Sequence, residues 1–183
     1  MNRCRWMYIV TLLCAGTACS GEPDDTEEVT QVGGYYTRVG AVGMLGVLEY
    51  SDGSLLGYLC GQGDSIDQTR WLSGEDGVLR GADWSAAIFD GEVEVIGPSQ
   101  AFVSDLSPLG EGGIYDALPN DCRTGLLVFP DGEEWSSVGT YCDGATSFIQ
   151  VEPVGTIVAP DAMLSVRVQT QQETLVFDVT RLP

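Results

Sequence analysis

The chain has 183 residues, a formal net charge of -19 and 44% hydrophobic residues, and its basic side chains are eight arginines, with no lysine and no histidine. The lack of histidine excludes Ser-His-Asp and Cys-His nucleophilic sites, and the lack of lysine excludes a P-loop lysine or a Schiff base. A sequence pI near 4.1 argues against a nucleic-acid partner, because phosphate binding needs a basic surface.

The first segment is typical of an export signal. Arg3 and Arg5 precede an apolar run over 6–13, and small residues follow at 15–18. A positive start, an apolar stretch of roughly 7–15 residues and a small-residue cleavage site describe a secretory signal peptide. The run is shorter than the ~20 residues that a membrane-spanning helix needs. We therefore predict a signal peptide over residues 1–18.

The residues around the cleavage point resemble a known motif. Gly16-Thr17-Ala18-Cys19 is similar to the lipobox of bacterial lipoproteins, in which the cysteine is lipidated and becomes the mature N-terminus. The resemblance implies that Cys19 carries a lipid anchor and that Ser20 directs sorting to the outer membrane. Acyl chains contribute about 0.8 kcal/mol per buried CH₂, so several of them anchor a protein stably. Gly16 and Ala18 also suit ordinary signal peptidase, so cleavage after Ala18 is expected either way.

An acidic segment follows the predicted cleavage point. Five of the twelve residues over 20–31 are acidic, and such a stretch cannot bury enough surface to offset its ordering entropy. We assign residues 19–34 to the lipidated cysteine and a disordered acidic tether. The folded body is then 35–183, which is long enough for one domain or for two small units that share a core.

The body carries the pattern of β-strands. Apolar and polar residues alternate over 92–95, 164–169 and 174–179, and this period of two is typical of half-buried strands. Asp-Gly pairs favour tight hairpin turns, because both residues tolerate positive φ. Five of them punctuate the body, at 52–53, 76–77, 90–91, 131–132 and 143–144. The sequence predicts a mainly β fold, an antiparallel sandwich or barrel.

Two hairpins in this body look like copies of each other. Residues 46–53 match residues 125–132 at a constant offset of 79, and each match is followed by a tyrosine close to a cysteine. This similarity predicts two related β-units in tandem, over 35–108 and 113–183. The alternative is that Asp-Gly hairpins recur independently in β proteins.

Three cysteines remain after the signal segment, which is an odd number for an exported protein. Cys122 and Cys142 lie equally far from Gly132, at the centre of a hairpin turn, so a simple hairpin places them opposite each other within reach of a disulfide. We predict this bridge, with Cys60 buried and free. The competing scheme pairs Cys60 with Cys122 or Cys142.

Carboxylates are the catalytic groups that this composition could supply most readily. Glu133 and Glu134 follow the Asp131-Gly132 turn, but neighbours on a strand point to opposite faces, which favours a solvated hairpin tip. Asp64 and Asp67 lie in a polar loop and form a weak candidate for Ca²⁺ binding, without the full EF-hand pattern. We predict no metal, no cofactor and no catalytic residue.

Tryptophans are the remaining candidates for ligand contact. Trp84 lies on an alternating strand, as a core residue does. Trp71 and Trp135 stand among polar residues and are the candidate ligand-facing aromatic side chains.

Two classes of function are compatible with these observations. The first is an exported, envelope-anchored lipoprotein whose β-rich body is a non-catalytic binding or structural module. It would meet the membrane through its lipid anchor and would bind a protein or glycan partner. The alternative is a carboxylate-dependent hydrolase of envelope glycans, which requires two carboxyl groups about 5–9.5 Å apart in a cleft.

Overall fold

The structure is a computed structural model that describes residues 28–119, 122–144 and 147–183. The predicted signal peptide, the predicted lipidation at Cys19 and most of the predicted acidic tether lie outside these residues. The described chain is mainly antiparallel β, as predicted. Within it, a short 3-10 helix, Gly63–Gln68, joins two strands. No helix in the described ranges has the length and apolar character needed to cross a membrane.

The first unit is a nine-stranded sheet in which most strands pair with their neighbours in the sequence. The strand order is β8-β7-β6-β5-β4-β3-β2-β1-β9. The strands are β1 Gln31–Val39, β2 Gly43–Tyr50, β3 Ser54–Gly61, β4 Arg70–Glu75, β5 Val78–Gly81, β6 Trp84–Phe89, β7 Glu92–Ile96, β8 Ala101–Asp105 and β9 Ser107–Pro108.

This sheet curls until β8 approaches β1 without completing a ladder of backbone hydrogen bonds. Side chains close the seam instead. The Thr37 hydroxyl donates to the Asp105 carbonyl at 2.8 Å, and the Ser104 hydroxyl donates to the Arg38 carbonyl at 3.0 Å. The first unit is therefore a nearly closed barrel.

The second unit is a closed six-stranded barrel with strand order β10-β11-β12-β13-β14-β15. β15 returns to pair with β10 and closes the ring. The strands are β10 Gly113–Ala117, β11 Thr124–Asp131, β12 Glu134–Cys142, β13 Phe148–Pro153, β14 Met163–Gln169 and β15 Thr174–Arg181.

Four of the Asp-Gly pairs lie in connections between strands, as predicted, and in the fifth Asp131 ends β11 and Gly132 begins the turn. The five pairs do not all form the same turn. Asp76-Gly77 and Asp90-Gly91 are two-residue hairpin loops in which both residues have positive φ. This is the geometry of a type I′ turn. In the other three pairs only the glycine has positive φ, at Gly53, Gly132 and Gly144.

One predicted boundary is wrong. β1 begins at Gln31, so the residues 31–34 assigned to the tether belong to the sheet. Gly33 pairs with Glu49 and Gly34 with Leu48. Glycine carries no hydrophobic pattern, so the segment gave no strand signal in the sequence. At Gly34, a Cβ would lie 3.3 Å from the Leu109 side chain, so the small residue also permits close packing.

Each unit has its own apolar core, and a third cluster joins the two units. Trp84, predicted to be a core residue, is buried in the first unit. The joining cluster, which we call the interface core, receives side chains from β2 and β3 on one side and mainly from β10, β11 and β12 on the other. Its buried members are Met44, Leu48, Tyr58, Cys60, Leu109, Ile114, Leu127 and Val138.

Tyr58 crosses the interface core and bonds to the second unit. Its hydroxyl lies 3.0 Å from the Gly125 carbonyl oxygen and 3.0 Å from the Thr140 hydroxyl, and it accepts the Thr140 backbone N–H at 3.0 Å. A Cβ on Gly125 would lie 2.5 Å from the Tyr58 ring. The close approach of the two sheets therefore depends on glycine at this position.

Candidate functional site

Trp71 does not present an open ring face to a ligand. It is half-buried beside the interface core, where its ring lies 4.7 Å from the Tyr58 ring, centroid to centroid. The guanidinium of Arg123 sits over the ring at 3.7 Å, and the indole N–H donates to the Arg123 carbonyl at 3.4 Å. Asp116 holds the same guanidinium at 2.8 Å. This cation–π contact gives Trp71 a role in joining the two units.

Trp135 lies near the start of β12, opposite Pro130. Its side chain is half-buried and packs against the core of the second unit. The structure does not bring Trp71 and Trp135 together, because one belongs to the interface and the other to a single barrel. An aromatic groove built from these two residues is therefore absent from the described part of the chain.

The acidic candidates are separated in the same way. Asp64 and Asp67 lie on the 3-10 helix and are exposed, and the Asp67 carbonyl accepts a hydrogen bond from Arg70 at 2.7 Å. Glu133 and Glu134 are exposed at the β11–β12 turn. Over the described ranges, no three carboxylate or thiol side chains come close enough to hold a metal ion.

The predicted disulfide is confirmed. Cys122 and Cys142 are bridged across the β11–β12 hairpin, with their Cα atoms 5.7 Å apart. Cys60 is free and fully buried in the interface core, and burial raises the pKa of its thiol to about 12. A thiol with that pKa is inert at neutral pH, because the thiolate is the reactive form.

A groove opens beside this disulfide, at one end of the second barrel. We call it the second-unit mouth. It has a volume of about 650 Å³ and lies between the start of β13 and the β14–β15 hairpin. Its lining is formed by Tyr141, Asp143, Ser147, Phe148, Ile149, Gln169, Thr170, Gln171, Gln172, Glu173 and Leu175. Barrel mouths are among the places where ligand sites commonly occur.

The mouth exists because β13 changes partners along its length. Residues 148–150 pair with β12, whereas residues 151–153 pair with β14. The strands therefore diverge between Gln150 and Gln169, and a second groove of about 440 Å³ adjoins the mouth there. Glu152 and Arg167 line that second groove and form an exposed ion pair at 2.8 Å.

The hairpin loop at the rim of the mouth is held by its own hydrogen bonds. The Thr170 hydroxyl donates to the Glu173 carbonyl at 2.8 Å and accepts the backbone N–H groups of Gln172 and Glu173 at 3.2 and 3.0 Å. The Thr170 backbone N–H also donates to the Glu173 carbonyl at 2.9 Å. Gln171 and Gln172 are exposed at the tip of this loop, so their amides extend from a fixed backbone.

This arrangement combines hydrogen-bonding amides and hydroxyls with an apolar floor. Tyr141 and Leu175 extend from the barrel core to the base of the mouth, and Phe148 lies half-buried at its side. Glutamine amides donate and accept hydrogen bonds, which suits a neutral polar ligand. The mouth can therefore recognise hydroxyl or amide groups above an apolar surface.

No motif in the sequence indicates this site. Its two sides come from residues 141–143 and 147–149 and from residues 169–175, which only the barrel brings together. The run of polar residues at 169–174 was visible in the sequence, but its position at a barrel end depends on strand pairing.

Comparison of the chain with protein-family models, with curated proteins and with solved structures finds no match.

Proposed function

We propose that the protein is an exported lipoprotein, anchored in the bacterial envelope through Cys19, whose β-rich body is a non-catalytic binding module. The second-unit mouth is the proposed contact with its partner, a neutral glycan of the envelope. The net negative charge of the body repels it from anionic lipid headgroups, so we expect the body to face solvent while the anchor holds it at the membrane.

Export is supported by two independent features. The segment over 1–18 has the three parts of a signal peptide. The Cys122–Cys142 disulfide is favoured in oxidising compartments and rare in the cytosol.

Binding at the second-unit mouth is supported by one observation above the others. A tight loop presents the Gln171 and Gln172 amides beside a groove with Tyr141 and Phe148 in its lining. Sugars carry hydroxyl groups around a largely apolar ring, so they use both kinds of surface. The non-catalytic part of the proposal rests on the absence of histidine and lysine from the sequence, which removes the commonest general bases.

The anchor is tested by intact-mass measurement of the protein extracted from membranes. We expect a chain that begins at Cys19 and carries two or three acyl groups. C19A should be released in soluble form. An unmodified, water-soluble wild-type product would overturn the anchoring.

The glycan contact is tested by calorimetric titration of the exported chain with soluble oligomers of N-acetylglucosamine. The double variant Q171A/Q172A should weaken binding at least about fivefold, since each lost hydrogen bond is worth about 0.5–1.5 kcal/mol. Q100A removes an exposed glutamine of the first unit and should leave binding unchanged. Equal effects of both changes, or no binding by the wild type, would contradict the proposed site.

The hydrolase alternative is tested by assaying reducing sugar ends in the same mixtures of protein and oligomer. If the wild type produces new reducing ends, the protein is a hydrolase and the non-catalytic proposal is wrong. If E133Q, E134Q, D64N or D67N abolished that activity in a folded protein, the affected carboxylate would belong to its active site.

A further inference from the structure

A separate cavity lies at one end of the first unit, away from the two grooves of the second unit, and the proposed glycan contact does not use it. Because the strands run up and down in sequence order, the β2–β3, β4–β5 and β6–β7 connections meet at the same end of the sheet. Each connection contains an Asp-Gly pair, at 52–53, 76–77 and 90–91. The three glycines have positive φ and lie around one opening, which we call the first-unit mouth.

The first-unit mouth leads into a small cavity of about 210 Å³. Its apolar lining comes from Leu55, Ile88 and Leu106. At Gly53 and Gly91 an added Cβ would meet no atom within 4 Å, so no side chain crowds the rim at these positions. The cavity is smaller than the roughly 300–1,000 Å³ of pockets for drug-sized ligands, so it suits a compact ligand.

The polar part of the lining is acidic. Glu49, Asp76 and Tyr35 are the lining residues with ionisable side chains. A Cβ on Gly33 would lie 3.0 Å from one Glu49 carboxylate oxygen and 3.3 Å from the Tyr35 hydroxyl. The two oxygen atoms are therefore close to each other, and both belong to residues that line the cavity.

No basic side chain offsets these carboxylates. The residues that line the cavity include no arginine. Of the ion pairs formed within the described ranges, none involves Glu49 or Asp76. A cation that enters the cavity therefore finds carboxylates that no arginine occupies.

We propose that the first-unit mouth binds a small organic cation, a primary alkylammonium with a short aliphatic body. The ammonium group lies against the Glu49 carboxylate and the Tyr35 hydroxyl, with Asp76 at the rim. The aliphatic body packs on Leu55, Ile88 and Leu106. This site is separate from the second-unit mouth and does not rest on the proposed glycan contact.

The chemistry of the lining selects this class over its neighbours. An alkyl carboxylate would meet two like charges, and a neutral alcohol would offer one O–H donor and no positive charge to the carboxylates. An inorganic monovalent cation would leave the apolar lining unused. A primary ammonium offers three N–H donors and brings a hydrocarbon tail, so it uses both parts of the cavity.

The proposal is tested by titrating the exported chain with n-hexylammonium chloride, followed by calorimetry and by NMR chemical shifts. Sodium hexanoate and 1-hexanol, at matched ionic strength, are the comparison ligands. We expect saturable binding of hexylammonium, at least about tenfold weaker binding of hexanol, and no binding of hexanoate. The shifts should concentrate on Ile88 and Leu106. Added salt should weaken the binding, because it screens charges that are reached by solvent.

Glu49 supplies the decisive variant. E49Q keeps the shape of the side chain and removes its charge, so we expect at least about a tenfold loss of hexylammonium affinity. The matched control is E133Q, an exposed glutamate of the second unit, which should bind as the wild type does. Y35F, which keeps the ring and removes the hydroxyl, should lose affinity several-fold even if E49Q fails to fold.

Several outcomes would overturn the cation site. One is equal binding of hexanol and hexylammonium. Others are equal losses in E49Q and E133Q, or shifts spread over all exposed carboxylates, both of which indicate general attraction to an acidic protein. These outcomes do not depend on whether the second-unit mouth binds a glycan.

Discussion

The Tyr58 hydroxyl makes buried hydrogen bonds across the contact between the two units. The hydroxyl accepts the Thr140 backbone N–H and donates to the Gly125 carbonyl, and all three groups are buried. Burial is the main reason why the pKa of Tyr58 is raised well above its ordinary value. A buried backbone group without a partner costs about 1–3 kcal/mol, so this hydroxyl satisfies groups that water cannot reach.

Y58F should therefore destabilise the protein by about 1–3 kcal/mol, because it leaves the Thr140 N–H without its acceptor. The measurement is urea unfolding of the two variants Y58F and Y36F. Tyr36 donates to the Pro130 carbonyl at 2.9 Å in a half-buried position, where water can replace the lost bond. Y36F should cost less, and an equal cost in the two variants would contradict this account.

Cys60 should make the stability depend on alkaline pH. Burial raises the pKa of its thiol from 9.0 to about 12 in the folded state. Below the thiol pKa of the unfolded chain, both states keep the Cys60 proton, and the neutral buried thiol contributes fully to the stability of the fold. As pH rises through the interval between the two pKa values, the unfolded chain loses a proton that the folded chain keeps, so stability falls by up to about 1.4 kcal/mol per pH unit.

C60A should remove this part of the slope. Urea unfolding at about pH 8, 9 and 9.5 compares the wild type with C60A, at pH values below the ordinary tyrosine pKa of about 10. We expect the free energy of unfolding of C60A to change less between about pH 8 and 9.5. Parallel slopes would show that the Cys60 thiol does not titrate in the unfolded chain as expected.

The Cys122–Cys142 disulfide stabilises the β11–β12 hairpin. The bridge closes a loop of 20 residues, which stabilises the folded state by roughly 3 kcal/mol on the chain-entropy account. C122S/C142S should lose about that amount in urea unfolding. Reduction of the wild type should give the same loss. A wild type that keeps its stability under reducing conditions would contradict the assignment.

The strands that the sequence revealed are those with one face in a core. β7 alternates buried valines with half-exposed glutamates, and period-two patterning predicts such strands well. β2 and β11 instead have long buried runs, because one face packs in a barrel and the other in the interface core. Their continuous apolar sequences indicate strands buried on both faces, but they do not name the partner sheet.

The internal duplication stays a prediction, and the registers agree with it only in part. Gly46 lies opposite Tyr58, and Gly125 lies opposite Thr140. The offset between the units is therefore 79 residues for the first strand of each hairpin and 82 for the second, and the second offset relates Cys60 to Cys142. The two tyrosines do not correspond, because Tyr58 packs in the interface core and Tyr141 in the core of the second unit.

The whole molecule should unfold as one cooperative body. The interface core contains fully buried side chains from both units, so separation of the barrels would expose Leu48 and Leu127 to water. Burying such side chains is worth about 1.5–3 kcal/mol each. Neither barrel can lose its structure without removing half of this shared core.

Tryptophan fluorescence can test that cooperativity. One variant keeps Trp84, in the core of the first unit, and a second keeps Trp135, beside the core of the second, with the other body tryptophans changed to Phe. We expect each variant to give a fluorescence midpoint in urea that coincides with its own circular dichroism midpoint, as two-state unfolding requires. A fluorescence midpoint that departs from that of the backbone signal would show that the units unfold independently.

Neither proposed site could be located from the sequence, because both are mouths of barrels. Glu49 and Asp76 lie far apart along the chain and share a cavity through strand pairing alone. The Asp-Gly pairs predicted turns correctly, yet nothing in their spacing showed that three of them surround one opening. Strand order carries that information, and strand order depends on long-range pairing.

The seam between β1 and β8 gives the first unit an edge that is concealed without being paired. Exposed strand edges invite pairing with other chains, and here the Thr37 and Ser104 hydroxyls occupy carbonyls across the seam. The double variant T37V/S104A would leave the backbone of β1 and β8 unchanged and remove the two hydrogen bonds across the seam. We expect little change in the folding of a dilute sample, but growing association as protein concentration rises, visible by light scattering. The Thr37 and Ser104 hydroxyl groups would then be the features that keep the protein monomeric at high concentration.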